Sequence, residues 1–425
     1  MICGSCMQDN SWVRALRKAG ADATLIPTYT PVRVDDDSLS TPRVFLGGIN
    51  LFLEHQSAIW RAIPRGLKSW LDHPRIIQWA TRFGVSNDAT KLGELTLAML
   101  AGENGPQRQQ IEELADYLAT ELQPDVVCFS NALLSGALRT IKQRFRGPVF
   151  CTLQGDDIFL DGLPSAIRSK VIACIADRAS QFDGFCVHSD YYRDAMSELL
   201  HLPVSRFHKI PLGIDLNGHD GVAEKSEPDV LRIGYFARVC PEKGLHLLVE
   251  AFRQLHARQP RTRLVVGGYL GPRDADYFKG ILKDAATLGD AFEYVGSPDS
   301  RADKIKLLKS FDVMSVPTLY REPKGLSILE ALANGVPVVQ PAHGAFVEML
   351  QATSGGKLFT PGNASELARC LEEFVLDREA RINCGRRGQK AVQTQFSSEV
   401  MAAATIELFG SERRKSMTET GMTER

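Results

Sequence analysis

Short runs rich in β-branched and aromatic residues alternate with helical patterns along this chain, and that alternation narrows its possible folds more than any other feature. It is the signature of parallel sheets covered by helices. In the first half the predicted strands are Ala23–Tyr29, Val126–Ser130, Val149–Leu153, Phe185–Ser189 and Lys209–Leu212. In the second half they are Arg232–Ala237, Leu264–Gly267, Glu293–Gly296, Val313–Val316 and Val338–Gln340. The runs are continuously apolar, as strands buried on both faces are. At 425 residues the chain exceeds the span one core fills, roughly 250–300 residues, so the two sets of strands read as two α/β domains. The boundary is placed near Gly213–Asp229, where Gly218, Gly221, Pro228 and polar residues interrupt the pattern. The domains expected are 1–213, with a helical insertion over about 52–120, and 214–395, followed by a polar tail, 411–425, without order. An opening helix fits Asp9–Lys18, closed by Gly20, but Met1–Ile2 is too short to be the strand that feeds it. Either the chain is truncated at its start, the preferred reading, or the sheet lacks its usual first strand.

Composition excludes several classes of function. The formal net charge of -1 gives no global field for nucleic acid. No apolar run reaches the roughly 20 residues of a membrane helix, and the start lacks a signal-peptide pattern, so a cytoplasmic location is expected. The nine cysteines are mostly spaced singly within apolar runs, which argues against a disulfide framework. Cys3-Gly-Ser-Cys6 has no second pair to complete a structural zinc site, and Asp35–Asp37 sits in a polar loop as a solvated turn. Leu264–Gly271 is glycine-rich but is not G-x-G-x-x-G, which argues against a dehydrogenase. Ser57–Phe83 combines Trp60, Trp70 and Trp79 with Arg61, Arg65, Lys68, Arg75 and Arg82. That composition suits a helical insertion packed on the first core, the preferred reading, or a peripheral contact with an anionic membrane.

Two segments carry chemistry. In Glu322-Pro-Lys-Gly-Leu-Ser-Ile-Leu-Glu330, two carboxylates stand eight positions apart, a little over two helical turns, with Gly325 where a loop enters a helix. A carboxylate accepts two hydrogen bonds at once, which suits a vicinal diol. The N–H groups of Gly325, Leu326 and Ser327 are expected to be free donors for a phosphate. In Ile233-Gly-Tyr-Phe-Ala-Arg238-Val-Cys-Pro-Glu-Lys243-Gly, a buried strand delivers Arg238 and a following turn delivers Lys243. Two cations beside a helix start suit a diphosphate leaving group.

In order and spacing these segments resemble glycosyltransferase family 4, the retaining transferases of the GT-B fold. The resemblance extends to Ile210–Asp215 at the domain junction, Val187-His-Ser189, and Thr360-Pro-Gly-Asn363. It implies two Rossmann-like doubly wound parallel-sheet domains facing across a cleft, with the acceptor on the first and a nucleotide sugar on the second. A closing helix over 396–410 returns to the first domain. Arg238 and Lys243 then hold the donor diphosphate, Glu330 the ribose, and Glu322 the transferred sugar. The backbone of Gly325, Leu326 and Ser327 lies against the phosphates, and Gly4 stands in the glycine-rich first loop. The implied reaction moves sugar from a UDP- or GDP-sugar to an acceptor hydroxyl, with no cofactor and no catalytic metal. Two departures from the family pattern stand out. Gln154 replaces a histidine common in the family, with Asp156 or Asp157 beside it to share the role. Lys324 replaces an aromatic residue, either adding charge beside the phosphates or pointing to solvent. The rival readings are a GT-B protein that binds nucleotide or sugar without transfer, and a phosphorylase.

Overall fold

The computed structural model describes residues 4–28, 37–41, 43–46, 89–220 and 230–423. Cys3, Asp35, Asp36 and the Ser57–Phe83 segment lie outside the described residues. The chain divides into two compact units, one of Ser5–Ile210 with Ala402–Arg425, the other mainly of Pro211–Met401.

In the first unit α1 (Gly4–Lys18) precedes α2 (Ala89–Leu100) and α3 (Arg108–Asp116). A parallel sheet follows in the order β1 (Val127–Phe129), β2 (Val149–Thr152), β3 (Gly184–Val187), β4 (Phe207–Lys209). Helices α4 (Leu138–Arg144), α5 (Asp156–Asp161), α6 (Ser165–Ala179) and α7 (Asp190–Leu200) connect the strands. Every residue of β2 and β3 is buried, which explains why both are legible as unbroken apolar runs. β4 begins earlier than the predicted Lys209–Leu212. It is an edge strand whose His208 and Lys209 break the apolar signal, while Ile210 is buried just beyond it. The described part of the predicted strand Ala23–Tyr29, residues 23–28, does not join the sheet. Among the described residues it makes one bridge, Leu25 to Ser40.

The second unit carries a six-stranded parallel sheet in the order β10-β9-β8-β5-β6-β7. Its strands are β5 (Leu231–Phe236), β6 (Thr262–Gly267), β7 (Phe292–Gly296), β8 (Val313–Met314), β9 (Val338–Pro341) and β10 (Gly356–Phe359). Helices α8 (Leu245–Arg258), α9 (Ala275–Ala285), α10 (Arg301–Lys309), α11 (Leu326–Ala333), α12 (Ala345–Thr353), α13 (Ala364–Leu376) and α14 (Arg378–Gln395) complete it. β10 was not anticipated, because an edge strand that begins at glycine and continues through lysine has no apolar run. The first strand of this unit, β5, lies directly beside the fourth, β8, in parallel register. Strand order reverses there, and in open α/β sheets such a point opens a crevice at the carboxyl ends of the strands.

The closing helix α15 (Ser398–Thr423) runs through the polar segment for which no order was expected. It is anchored in the first unit, where Trp12 Nε1 donates to Thr405 Oγ1 at 2.9 Å and Phe409 packs on Phe150 of β2. No helix among the described residues is long and apolar enough to cross a membrane.

Gly244 joins the Lys243 turn to α8 in a left-handed conformation (φ 70°), and a Cβ there would stand 1.9 Å from the Pro317 carbonyl oxygen. Gly244→Ala is therefore expected to cost at least about 2–3 kcal/mol, combining backbone strain with a clash against main chain. Urea unfolding checks this, and a midpoint within error of wild type would refute it.

Candidate functional site

The loops leaving β5 and β8 diverge at the reversal and carry the predicted residues. After β5, the Tyr235 hydroxyl donates to the Arg238 carbonyl at 3.1 Å and fixes the turn. Arg238 Nε donates to Cys240 Sγ at 3.3 Å. Arg238 forms no ion pair among the described residues, and its two terminal nitrogens reach solvent with no hydrogen-bond partner there. It is thus a half-buried guanidinium with its fork unused.

Lys243 ends the single turn Pro241–Lys243 ahead of α8. Its ammonium donates to Glu322 Oε2 at 2.9 Å and to the Tyr320 hydroxyl. That hydroxyl in turn donates to the same Oε2 at 2.7 Å, and the Gly325 N–H donates to Oε1 at 3.3 Å. Glu322 is only 8% exposed, so both its oxygens are occupied inside the protein. Burial alone would raise its pKa. The Lys243 charge and hydrogen bond, with those from Tyr320 and Gly325, overcome that and hold it at about 2. Burial and the neighbouring Glu322 push the Tyr320 hydroxyl well above its ordinary range, so it stays a neutral donor, and the Arg238 charge is close enough to oppose this in part. A main-chain bond, Leu319 N–H to the Glu242 carbonyl at 2.9 Å, joins the two loops as well.

Gly325 caps α11 with a left-handed backbone (φ 81°). Its N–H, expected to be free, is taken by Glu322, whereas those of Leu326 and Ser327 make no hydrogen bond among the described residues. They precede the first carbonyl that a helical bond can use. Lys324 is 9% exposed, which excludes the solvent-pointing alternative. Glu330 falls in the second turn of α11, as its spacing predicts. It pairs with Lys304 rather than with the Lys243 cluster, Lys304 Nζ lying 2.9 Å from Oε1.

The remaining predicted residues lie in other places. Gln154 follows β2 in the first unit, where its Nε2 donates to Asp9 Oδ1 at 2.7 Å and to the Ser130 carbonyl at 3.3 Å. Asp156 is buried and accepts from the N–H of Ala132 (2.7 Å) and of Gln154 (3.1 Å), so it holds the loops after β1 and β2 together. Burial raises its pKa to about 6 against these backbone bonds. Asp157 accepts from the Tyr192 hydroxyl at 2.8 Å. Gly4 is the first residue of α1, and a Cβ there would meet nothing within 4 Å.

Sequence reasoning missed Tyr320, Asp9 and Lys304. Tyr320 stands two residues before Glu322 in the same loop and was open to notice. Asp9 and Lys304 read as ordinary helix-face charges, and only the fold brings them to Gln154 and Glu330.

Residues 222–391, nearly all of the second unit, match the family described as Glycosyl transferases group 1. The D-inositol 3-phosphate glycosyltransferase of Stackebrandtia nassauensis is 33% identical over 165 residues, 37% of this chain and 37% of that enzyme. The chain thus spans well under half the length of that relative. Sucrose-phosphate synthase of Thermosynechococcus elongatus superposes with a TM-score of 0.65 at 18% identity, covering 94% of this chain and 91% of that one. HepE of Anabaena, solved in complex with UDP, superposes with a TM-score of 0.62 at 20% identity, covering 71% and 82%. The fold is that of the GT-B glycosyltransferases, two parallel-sheet α/β units.

The two shifted carboxylates carry opposite pH signatures. Glu322 has a folded pKa of about 2, below its ordinary 4.5, so the stability it contributes is present above pH 4.5 and lost as pH falls toward 2. Asp156 has a folded pKa of about 6, above 3.8, so stability falls as pH rises from 3.8 through about 6. Urea titrations should show wild type losing more stability than Glu322→Gln on the acid side. Wild type should also lose stability relative to Asp156→Asn across the higher range. Parallel curves for either pair would contradict the assignment.

Proposed function

We propose that the chain is a retaining glycosyltransferase of family 4, transferring a hexosyl group from a UDP- or GDP-sugar to an acceptor hydroxyl without a catalytic metal. One observation carries this reading. The unused guanidinium fork of Arg238 lies on the loop after β5, where its charge acts on Tyr320, the partner of both Lys243 and Glu322, and Leu326 and Ser327 offer open N–H groups at the start of α11. Arginine forks bind phosphate oxygens in pairs, and cations with helix-start N–H groups stabilise the charge that grows on a departing diphosphate. The group 1 match over this unit and a structural neighbour that binds UDP support a nucleotide-sugar donor.

In the proposed reaction the bond between the anomeric carbon and the diphosphate oxygen breaks, and a bond to the acceptor oxygen forms on the same face. The acceptor proton passes to the departing phosphate, so no side-chain base is required. Gln154 positions the acceptor, Asp156 fixes its loop, and Gly4 lends backbone to donor binding. Free cysteines throughout the described residues support a cytoplasmic site of action. A second reading, binding without transfer, is favoured by Gln154 itself, whose amide is neither acid nor base.

Arg238→Ala and Glu322→Gln are each expected to lower kcat/KM by about 100-fold or more. A radiolabelled donor screen followed by NMR of the product anomer checks both rate and stereochemistry. Wild-type rates in both variants would overturn the site. Tight UDP or GDP binding without turnover would establish the second reading, and phosphate as the preferred acceptor would indicate a phosphorylase.

A further inference from the structure

Helix α10 buries a lysine. Lys304 is 9% exposed and lies among the buried Ile305 and Leu308, with its ammonium 2.9 Å from Glu330 Oε1. Burying an ion pair costs desolvation of both charges, and apolar replacements of similar volume are often neutral or stabilising. Stability alone therefore does not account for this pair, whereas control of the Glu330 carboxylate does.

The two glutamates of the Glu322–Glu330 segment are treated differently by the fold. Glu322 has both oxygens engaged, by Lys243, Tyr320 and Gly325. Glu330 has one oxygen held by Lys304, while Oε2 reaches solvent and has no partner among the described residues. The surroundings hold this arrangement in place. Asn334 Nδ2 donates to the Glu330 carbonyl at 2.8 Å, and Arg301 Nη2, in the same helix as Lys304, donates to the Asp215 carbonyl at 2.7 Å. His219, 4% exposed, borders Glu330, and burial lowers its pKa, so it brings no competing charge at neutral pH.

We infer that Lys304 is a positioning residue that clamps one oxygen of Glu330 and thereby presents the other to the vicinal hydroxyls of the nucleotide ribose. The inference rests on the nucleotide-sugar reading above. The clamp fixes the rotation of the carboxylate, so little orientational freedom is lost when the diol binds. A neutral or mobile group at position 304 leaves the carboxylate free to rotate and weakens the ribose contact, not the phosphate contacts made by Arg238.

Calorimetric titration of the full chain with UDP, GDP and their 2′,3′-dideoxy forms tests this. Wild type is expected to bind its ribonucleotide about tenfold or more tightly than the dideoxy form. Lys304→Met should lose most of that preference while its affinity for the dideoxy form stays within about twofold. Lys304→Arg should restore the preference. Lys304→Gln replaces the methionine variant if that protein does not fold. Equal weakening of both nucleotides, or no weakening, would overturn the inference. Equal wild-type affinity for ribo and dideoxy forms would overturn it too, while leaving the nucleotide-sugar reading intact. Failure of wild type to bind either UDP or GDP would remove that reading and the inference with it.

Discussion

One buried carboxylate holds the second unit's candidate site together. Glu322 ties the loop after β8 to the loop after β5 through Lys243, with the Tyr320 hydroxyl bridging the two. Those loops leave neighbouring strands and turn to opposite sides of the sheet, so nothing in the sheet itself keeps their tips together. Burying the charge is unfavourable, and three donors converge on it to offset that. Through the Gly325 N–H the same carboxylate sets the angle at which α11 begins, and so where Glu330 falls one turn later.

Around that tie the cations take different states. Arg238 keeps its fork open, while Lys243 is committed to Glu322. In the proposed reaction a diphosphate meets a ready guanidinium first and shares the ammonium with an existing partner. A second lysine, Lys304, holds the second glutamate from another helix. Each member of the Glu322–Glu330 pair is thus matched by its own cation.

Legibility followed burial. β2, β3, β5 and β6 read clearly because both their faces are covered, and the central strand pattern needs little beyond apolar runs. The edges did not read clearly. β4 and β10 carry His208, Lys209, Gly356 and Lys357, and backbone pairing rather than side-chain burial makes them strands. Ala23–Tyr29 has the apolar content of a strand, but the main-chain bonds of its described residues run only to residues 40–45, through Leu25 and Pro27, and do not enter the sheet, since composition does not decide which neighbour a segment finds. The polar end of the chain lacks apolar periodicity and is nonetheless helical, continuous with a segment packed through Thr405 and Phe409.

The spacing of residues along the chain determined that Arg238 and Lys243 follow one strand, and that Glu322 and Glu330 bracket a helix start. Those are local matters of strand exit and helical pitch. Which charges meet was decided only by the tertiary structure. Lys243 reaches Glu322 across 79 positions, and Lys304 reaches Glu330 from a different helix. Strand order in the sheet, absent from any local pattern, brings those elements side by side. The partner a charge finds there decides whether it is spent on the fold or left open to a ligand.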